Sequence, residues 1–249
     1  MTANDPIPIV PAERGSGRRL RGAVIHALGK AVLAGDYQPG DYLPGEISHA
    51  RELGVSRGAY REAVQTLIAK GLVESRPKSG TRILPRQRWN MLDPDVLAWA
   101  FSTTPDLRLL RGLFELREAI EPFAARLAAE RRSDADLEIM DRALLDMDRL
   151  TLATEAGMAA DRLFHETILV ASDNDALIAL SSGIAAGVEW STRFKQRTRA
   201  LPRDPVPAHR AVHDAIAARD GKLAAESMTC LVRQAFDDTW FGMGGSTGR

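Results

Sequence analysis

The sequence predicts a mostly α-helical protein in which an N-terminal winged helix-turn-helix domain is followed by an all-α helical bundle. Three features lead to this fold class: a helix capped at both ends and preceded by a shorter helix and a turn, a strand pair after it, and helical spacing of apolar residues over the rest of the chain. At 249 residues with 45% apolar content, the chain is long enough for two hydrophobic cores.

The charged residues are divided unevenly between the two predicted domains. The chain is neutral overall, but residues 1–88 contain 14 Lys and Arg against 8 Asp and Glu, which leaves 19 against 25 for the remainder. A locally basic module gains from releasing counterions at a phosphate backbone, and an acidic one does not. The asymmetry therefore assigns nucleic-acid binding to the N-terminal domain.

The central element of that domain is a recognition helix predicted over residues 57–70. Ser56 is suited to cap its first amides, and Gly71 can adopt the left-handed conformation that ends a helix. Arg57 and Arg61 share one solvent-facing side near the N-terminus, where the helix dipole repels cations. They are either ordinary exposed residues or ligands of an external anion, and the surrounding pattern favours guanine edges or phosphates of DNA.

The segments on either side complete a winged helix-turn-helix pattern. A short helix over 46–53 and a turn at Gly54 precede the recognition helix, and strands over 72–76 and 81–84 with a basic tip follow it. Besides the two arginines, the residues predicted to position the domain on DNA are Ser56, Gly58, Lys78, Gly80 and Thr81.

Several short motifs follow one another along this first domain. They are Gly35-Asp36-Tyr37, Pro39-Gly40-Asp41, Leu43-Pro44, Glu46, Leu53-Gly54-Val55-Ser56-Arg57, Arg61-Glu62-Ala63, Gly71-Leu72-Val73 and Gly80-Thr81. The series resembles the DNA-binding domain of GntR-superfamily bacterial regulators. The resemblance implies a ligand-responsive transcriptional regulator that binds double-stranded, palindromic operator DNA as a homodimer. Ile47 and Gly58 depart from the family pattern, in which an arginine and a threonine often stand at these positions.

Composition places the remaining boundaries. The expected segments are a mobile arm at 1–17, the winged domain at 18–86 with a first helix over 18–34, a connector at 87–106 and the bundle at 107–240. The connector is too apolar for a free linker, so its short amphipathic helix around Trp99 should pack on one of the domains.

The bundle is expected to contain six helices. They are predicted over residues 107–131, 134–152, 155–171, 175–199, 206–219 and 222–240, with Gly157 among the predicted breaks. Pro122 should kink the first helix or split it in two.

Several protein classes are excluded by simple counts. The single cysteine, Cys230, rules out an internal disulfide, and no apolar run approaches the length of a membrane span. No signal-peptide pattern is visible at the start, so the expected location is the cytoplasm.

A cluster of chemistry-bearing residues is predicted within the bundle. Asp161 and His165 are four residues apart, hence on one helix face, which is a usual placement for two ligands of one metal; an ordinary surface pair is the alternative. His209 comes from a later helix. Arg117 lies among apolar residues and either extends past them to solvent or faces inward as the counter-ion of an acid.

Three motifs in this half carry a second resemblance. ELREAIEP at 115–122, DRLFH at 161–165 and HRAVHDAI at 209–216 resemble the helical effector-binding domain (FCD type) of the FadR subfamily. The resemblance implies that Asp161, His165 and His209 hold a divalent metal such as zinc, which helps to bind a small carboxylate effector, with Arg117 as a further anchor.

The family's last histidine would fall near Leu231, which cannot ligate a metal, while Cys230 points about 100° away on a helix. This missing ligand and the segment QRWNMLDPDVLAWAF at 87–101 resemble most the sugar-acid-responsive, galactonate-type members, which implies an aldonate-like effector.

A metal-dependent enzyme is the alternative function. It would use Asp161, His165 and His209 as metal ligands and the N-terminal domain as a docking module. The sequence lacks a HExxH-like glutamate, a nucleophile with triad-like neighbours and a Gly-rich phosphate loop after a strand. We therefore expect a regulator rather than an enzyme.

Overall fold

The computed structural model describes residues 17–102, 106–198 and 203–242. The chain divides into two compact units, Met1–Thr104 and Pro105–Arg249. The arm predicted at 1–17 lies outside the described residues except for Gly17, which begins the first helix. Within the described ranges, every helix is too short or too polar to cross a membrane.

The first unit has the predicted winged helix-turn-helix fold. Its elements are α1 (Gly17–Ala34), α2 (Glu46–Glu52), α3 (Arg57–Ala69), β1 (Val73–Arg76), β2 (Gly80–Ile83), a 3-10 turn (Arg86–Arg88) and α4 (Pro94–Phe101). The two strands are antiparallel, with Val73 opposite Ile83 and Arg76 opposite Gly80. The wing follows α3 directly, as the sequence predicts.

A capping hydrogen bond defines the start of α3, and a left-handed glycine follows its end. The Ser56 hydroxyl accepts from the Ala59 N–H at 3.1 Å, and Gly71 has a φ of +73°. A side chain at position 71 would place its Cβ 2.3 Å from the carbonyl oxygen of Arg88, so this close approach also requires glycine. The predicted N-cap and C-terminal glycine of the recognition helix are confirmed.

The connector contributes to the core of the first unit. Trp89, Val96 and Trp99 are buried in the same apolar cluster as side chains of α1 and α3. Asp93 caps α4 and accepts from Nζ of Lys70, at the C-terminal end of α3, at 2.7 Å. The apolar character of this segment is therefore explained by its packing on the DNA-binding module.

The contact between α1 and α4 gives a stability prediction with a built-in control. A Cβ at Gly29 would lie 2.3 Å from the Trp99 ring, whereas one at Gly22 on the same helix meets nothing within 4 Å. Overpacking typically costs about 1–3 kcal/mol, and alanine in a helix gains up to about 1 kcal/mol over glycine. Gly29→Ala should therefore destabilise the protein by up to about 2 kcal/mol in chemical denaturation, while Gly22→Ala should stabilise it by up to about 1 kcal/mol; equal effects would contradict this packing.

The second unit is helical in all of its described elements. They are α5 (Leu107–Arg131), α6 (Asp134–Leu150), α7 (Glu155–Ala171), α8 (Asp175–Ile178), α9 (Ser181–Thr198), α10 (Val206–Ala217) and α11 (Gly221–Gly242). α5 packs on α7 and α11, α7 also packs on α6 and α9, and α10 packs on α5, α6 and α11. The inward faces of α5, α7, α9 and α10 thereby surround one small polar region.

Two details differ from the sequence-based expectation, and one predicted alternative is excluded. The predicted helix at 175–199 divides into α8 and α9 at a turn in which the Leu180 N–H bonds the Leu177 carbonyl at 3.0 Å. Of the two effects predicted for Pro122, a split of α5 does not occur, because packing on α7, α10 and α11 outweighs one missing hydrogen bond. Gly157 lies inside the first turn of α7, where a Cβ would be 1.8 Å from the Thr151 carbonyl oxygen, so it marks a close approach and not a break.

Candidate DNA-reading surface and metal centre

The two arginines of the recognition helix share an acidic partner within the protein. Arg57 Nε and Arg61 Nη2 donate to the same oxygen, Oε1 of Glu46, at 3.2 and 3.0 Å. The two arginine side chains are nevertheless 63% and 62% exposed. Sequence spacing does not reveal this local carboxylate, because it reaches the arginines only where α2 crosses α3; contact of Arg57 and Arg61 with an external anion stays a prediction.

The other residues predicted to position the domain on DNA lie in two places. Gly58 is in the first turn of α3, where a Cβ would meet only the Ser56 hydroxyl, at 3.9 Å. Lys78 and Gly80 form the tip of the wing in left-handed conformations, with φ of +64° and +89°. Thr81 is half-buried, and its carbonyl accepts from the Leu43 N–H at 2.8 Å. Thr81 therefore anchors the wing to the loop before α2.

Asp161, His165 and His209 meet inside the second unit, and all three are buried. His209 Nε2 lies 3.0 Å from Asp161 Oδ1 and 3.3 Å from His165 Nε2, and His165 Nε2 lies 3.7 Å from Asp161 Oδ1. The surface-pair alternative for Asp161 and His165 is therefore wrong, since neither side chain faces solvent.

The outer nitrogen of each imidazole contacts an acceptor. His209 Nδ1 donates to the Pro205 carbonyl at 2.7 Å, and His165 Nδ1 donates to Oε2 of Glu121. In neutral imidazoles these bonds leave both Nε2 atoms without a hydrogen. Two nitrogen lone pairs and a carboxylate oxygen then point at one another, an arrangement that a cation between them would stabilise.

Neighbouring side chains favour the ionised form of the Asp161 carboxyl. Burial alone would raise the pKa of its carboxyl, but a proton on Nε2 of His209, which the metal-free site would need for a hydrogen bond to Oδ1, and the neighbouring His165 hold that pKa well below its usual range. Thr192, on α9, donates to Oδ2 at 3.2 Å, which leaves Oδ1 facing the imidazoles. Asp161 is therefore an ionised ligand candidate at neutral pH.

Arg117 faces inward and pairs with an acid of its own helix. The residue is 2% exposed, and its Nε donates to Oε1 of Glu121 at 2.5 Å. Burial opposes the charge of Glu121, but Arg117 and His165 lower the pKa of its carboxyl to about 2. Of the two sequence-based alternatives, the inward orientation is confirmed, and the acid that Arg117 neutralises is Glu121.

A cavity of about 40 Å³ opens beside the cluster. Arg117, Asp161, His165, His209 and Leu231 all contribute to its wall. Leu231 presents only carbon there, and Cys230 is exposed, so neither supplies a fourth ligand.

Sequence reasoning missed three residues of this site. Glu121 stands four residues after Arg117, a spacing that could have identified the pair. Thr192 and Lys195, which also line the cavity, come from α9 and carry no signal in the sequence. Burial lowers the pKa of the Lys195 ammonium, more than the nearby Asp161 raises it.

Together, the fold and the site define a class of protein: a winged-helix DNA-binding unit joined to a helical sensor unit with a buried acid-histidine cluster. Residues 20–83 match the family described as bacterial regulatory proteins, gntR family, and residues 112–234 match the FCD domain. The chain belongs to the GntR family of bacterial transcriptional regulators, in the group that carries an FCD domain.

Named relatives cover most of the chain. The galactonate operon transcriptional repressor of Escherichia coli is 33% identical over 211 residues, which is 84% of this chain and 92% of the relative. The regulator LutR of Bacillus subtilis is 31% identical over 79% of this chain and 90% of the relative. A putative L-lactate dehydrogenase operon regulatory protein of E. coli is 32% identical over 85% of this chain and 83% of the relative.

A solved structure of the Listeria monocytogenes regulator Lar, described as controlling the agr system, has the same fold. Its TM-score is 0.65 at 18% identity, covering 93% of this chain and 99% of that one. The family and the relatives identify a ligand-responsive, DNA-binding regulator and give no support to the enzyme alternative.

Proposed function

We propose that the protein is a repressor that binds palindromic operator DNA as a homodimer and releases it when a small hydroxy acid, such as an aldonate, binds a divalent metal in the second unit. Binding of metal and effector by the second unit is supported mainly by one observation. The Asp161 carboxylate and the Nε2 atoms of His165 and His209 converge on one point. Because its target is the DNA of a bacterium, the protein acts in the cytoplasm.

The spacing of the three ligand atoms supports a metal. Ligands bound at about 2.1 Å lie roughly 3.0 Å apart in an octahedral and 3.4 Å apart in a tetrahedral sphere. The observed separations of 3.0, 3.3 and 3.7 Å bracket both values. When bound, zinc or another divalent ion supplies a Lewis-acidic centre with free coordination positions. Asp161, His165 and His209 would hold it.

Several features support a hydroxy acid as the effector. Three protein ligands leave coordination positions open, and a 2-hydroxy acid can fill two of them with a carboxylate and a hydroxyl oxygen. Arg117 and Lys195 line the same cavity, and their nitrogen atoms are suited to binding a carboxylate. The names of two relatives refer to galactonate and to L-lactate dehydrogenase operons, and both galactonate and lactate are 2-hydroxy acids.

The size of the cavity supports a coupling between effector and conformation. A volume of about 40 Å³ holds a few water molecules but no six-carbon acid. An aldonate therefore has to move part of the wall, and it favours the conformation in which the wall has moved. An effector shifts DNA affinity only through such a difference in its own affinity for two states.

On the DNA side, Arg57 and Arg61 are the proposed base or phosphate contacts, and Lys78 with Gly80 brings the wing to the backbone. One winged module contacts too little DNA for strong specificity, so a dimer on two half-sites is needed. Sedimentation should show a dimer on a duplex that the protein selects from a randomised library. A single protomer per duplex would contradict the proposed dimer on two half-sites.

A thermal-shift screen tests whether the second unit binds a metal and a hydroxy acid together. Aldonates, uronates, lactate and fatty acyl compounds are added with and without zinc, and we expect a hydroxy acid to raise the Tm only when zinc is present. A ligand present at a hundred times its Kd raises the free energy of unfolding by about 2.7 kcal/mol, which corresponds to an increase in Tm of roughly 5 °C or more. If none of the acids stabilises the zinc-treated protein, the effector proposal fails while DNA binding by the first unit stands.

A further inference from the structure

Arg117, Glu121 and His165 form a buried chain that ends at the ligand cluster. We propose that Glu121 is a positioning residue: it orients His165 toward the metal and links that histidine to Arg117, so that metal binding and acid binding depend on each other. This inference rests on the metal site proposed above and assigns it a residue that binds neither metal nor effector.

The first step concerns the orientation of His165. An imidazole can present either ring nitrogen to a metal, and the hydrogen bond at the other nitrogen decides which one. Oε2 of Glu121 accepts from Nδ1 of His165, so Nε2 is the nitrogen left to face Asp161 and His209. A carboxylate at this place also makes the imidazole a stronger donor to a cation than a neutral acceptor would.

The second step concerns the state of Glu121 itself. Its side chain is 1% exposed, and both of its oxygens have partners, Oε1 with Arg117 and Oε2 with His165. A buried carboxylate stays charged only when such partners compensate for its lost hydration. Arg117 therefore maintains the anion on which the orientation of His165 depends.

The third step connects the chain to the effector. Arg117 lines the cavity, so the carboxylate of an acid bound there has to share its guanidinium with Glu121. A change in the Arg117–Glu121 pair alters the hydrogen bond that Glu121 makes to His165. By reciprocity, metal and acid must then change each other's affinity by the same factor.

The measurement is the zinc affinity of the full-length protein, determined by competition with a chromophoric chelator. Glu121→Gln should lower this affinity about 10- to 100-fold, the usual effect of losing a residue that orients a ligand. Glu118→Gln is the matched control, because Glu118 lies on the same helix and pairs with Arg233 at the surface; it should leave the affinity unchanged.

The outcomes separate this inference from the proposed metal site. If the wild type takes up no zinc, the metal site and this inference both fail. If the wild type binds zinc and Glu121→Gln binds it equally well, only the role of Glu121 fails, even when the variant has a lower Tm.

A second measurement does not depend on the variant being folded. In the zinc-loaded wild type, ¹⁵N NMR of the histidine rings should show His165 with its proton on Nδ1 and the metal at Nε2. Coordination of zinc through Nδ1 of His165 would overturn the inference.

Discussion

Replacing both Arg57 and Arg61 with alanine is expected to weaken binding to a selected operator duplex by about 2–6 kcal/mol, a loss of at least roughly thirtyfold. The estimate assigns each guanidinium one good base contact, worth about 1–3 kcal/mol. Binding to a scrambled duplex should fall less, so the preference for the operator decreases. Fluorescence anisotropy with the two duplexes at one salt concentration measures both effects.

The ion pair with Glu46 has to be separated from this effect. In the free protein both guanidiniums donate to its Oε1, so the double substitution also leaves an unpaired carboxylate on the surface proposed to face DNA. Glu46→Gln combined with the two alanines removes that charge, and operator binding should remain weak if the arginines are the contacts.

Arg149→Ala serves as the control, since Arg149 is an exposed arginine of the second unit paired with Asp146. It should leave operator affinity unchanged. Normal operator binding by a folded Arg57→Ala, Arg61→Ala protein would remove these residues from the readout and leave the wing as the remaining contact surface.

Replacing His165 with alanine is expected to lower zinc affinity by more than about 100-fold and to abolish the Tm increase caused by a hydroxy acid. His165 is one of three metal ligands proposed among the described residues, so its loss should exceed the 10- to 100-fold effect typical of an orienting residue. Zinc competition and thermal shift measure the two consequences on one preparation. DNA binding without effector should persist.

His213→Ala is the matched histidine control. His213 lies on α10, one turn after His209, but it contacts Asp141 and Asp214 and does not reach the cluster. The variant should bind zinc and respond to the acid as the wild type does. An acid that stabilises His165→Ala and the wild type equally would show that the effector binds without the metal.

Features that depend on neighbours in the chain are predictable from the sequence. The ends of α3 follow from Ser56 and Gly71, because a cap and a left-handed glycine act within one turn of the helix. The shared face of Asp161 and His165 follows from helical geometry in the same way. Most of the helix limits in the second unit are also local, for example the capping box of Ser133 and Asp136 at the start of α6.

Features that depend on the packing of distant segments were decided only by the tertiary structure. Glu46 meets Arg57 and Arg61 because α2 crosses α3, and Glu121 meets His165 because α5 packs on α7, 44 residues further along the chain. His209 joins the cluster for the same reason. Residue type and spacing determine which side chains can share a helix face or end a helix. Which faces meet, and which buried charges are compensated there, depends on how the helices pack against one another.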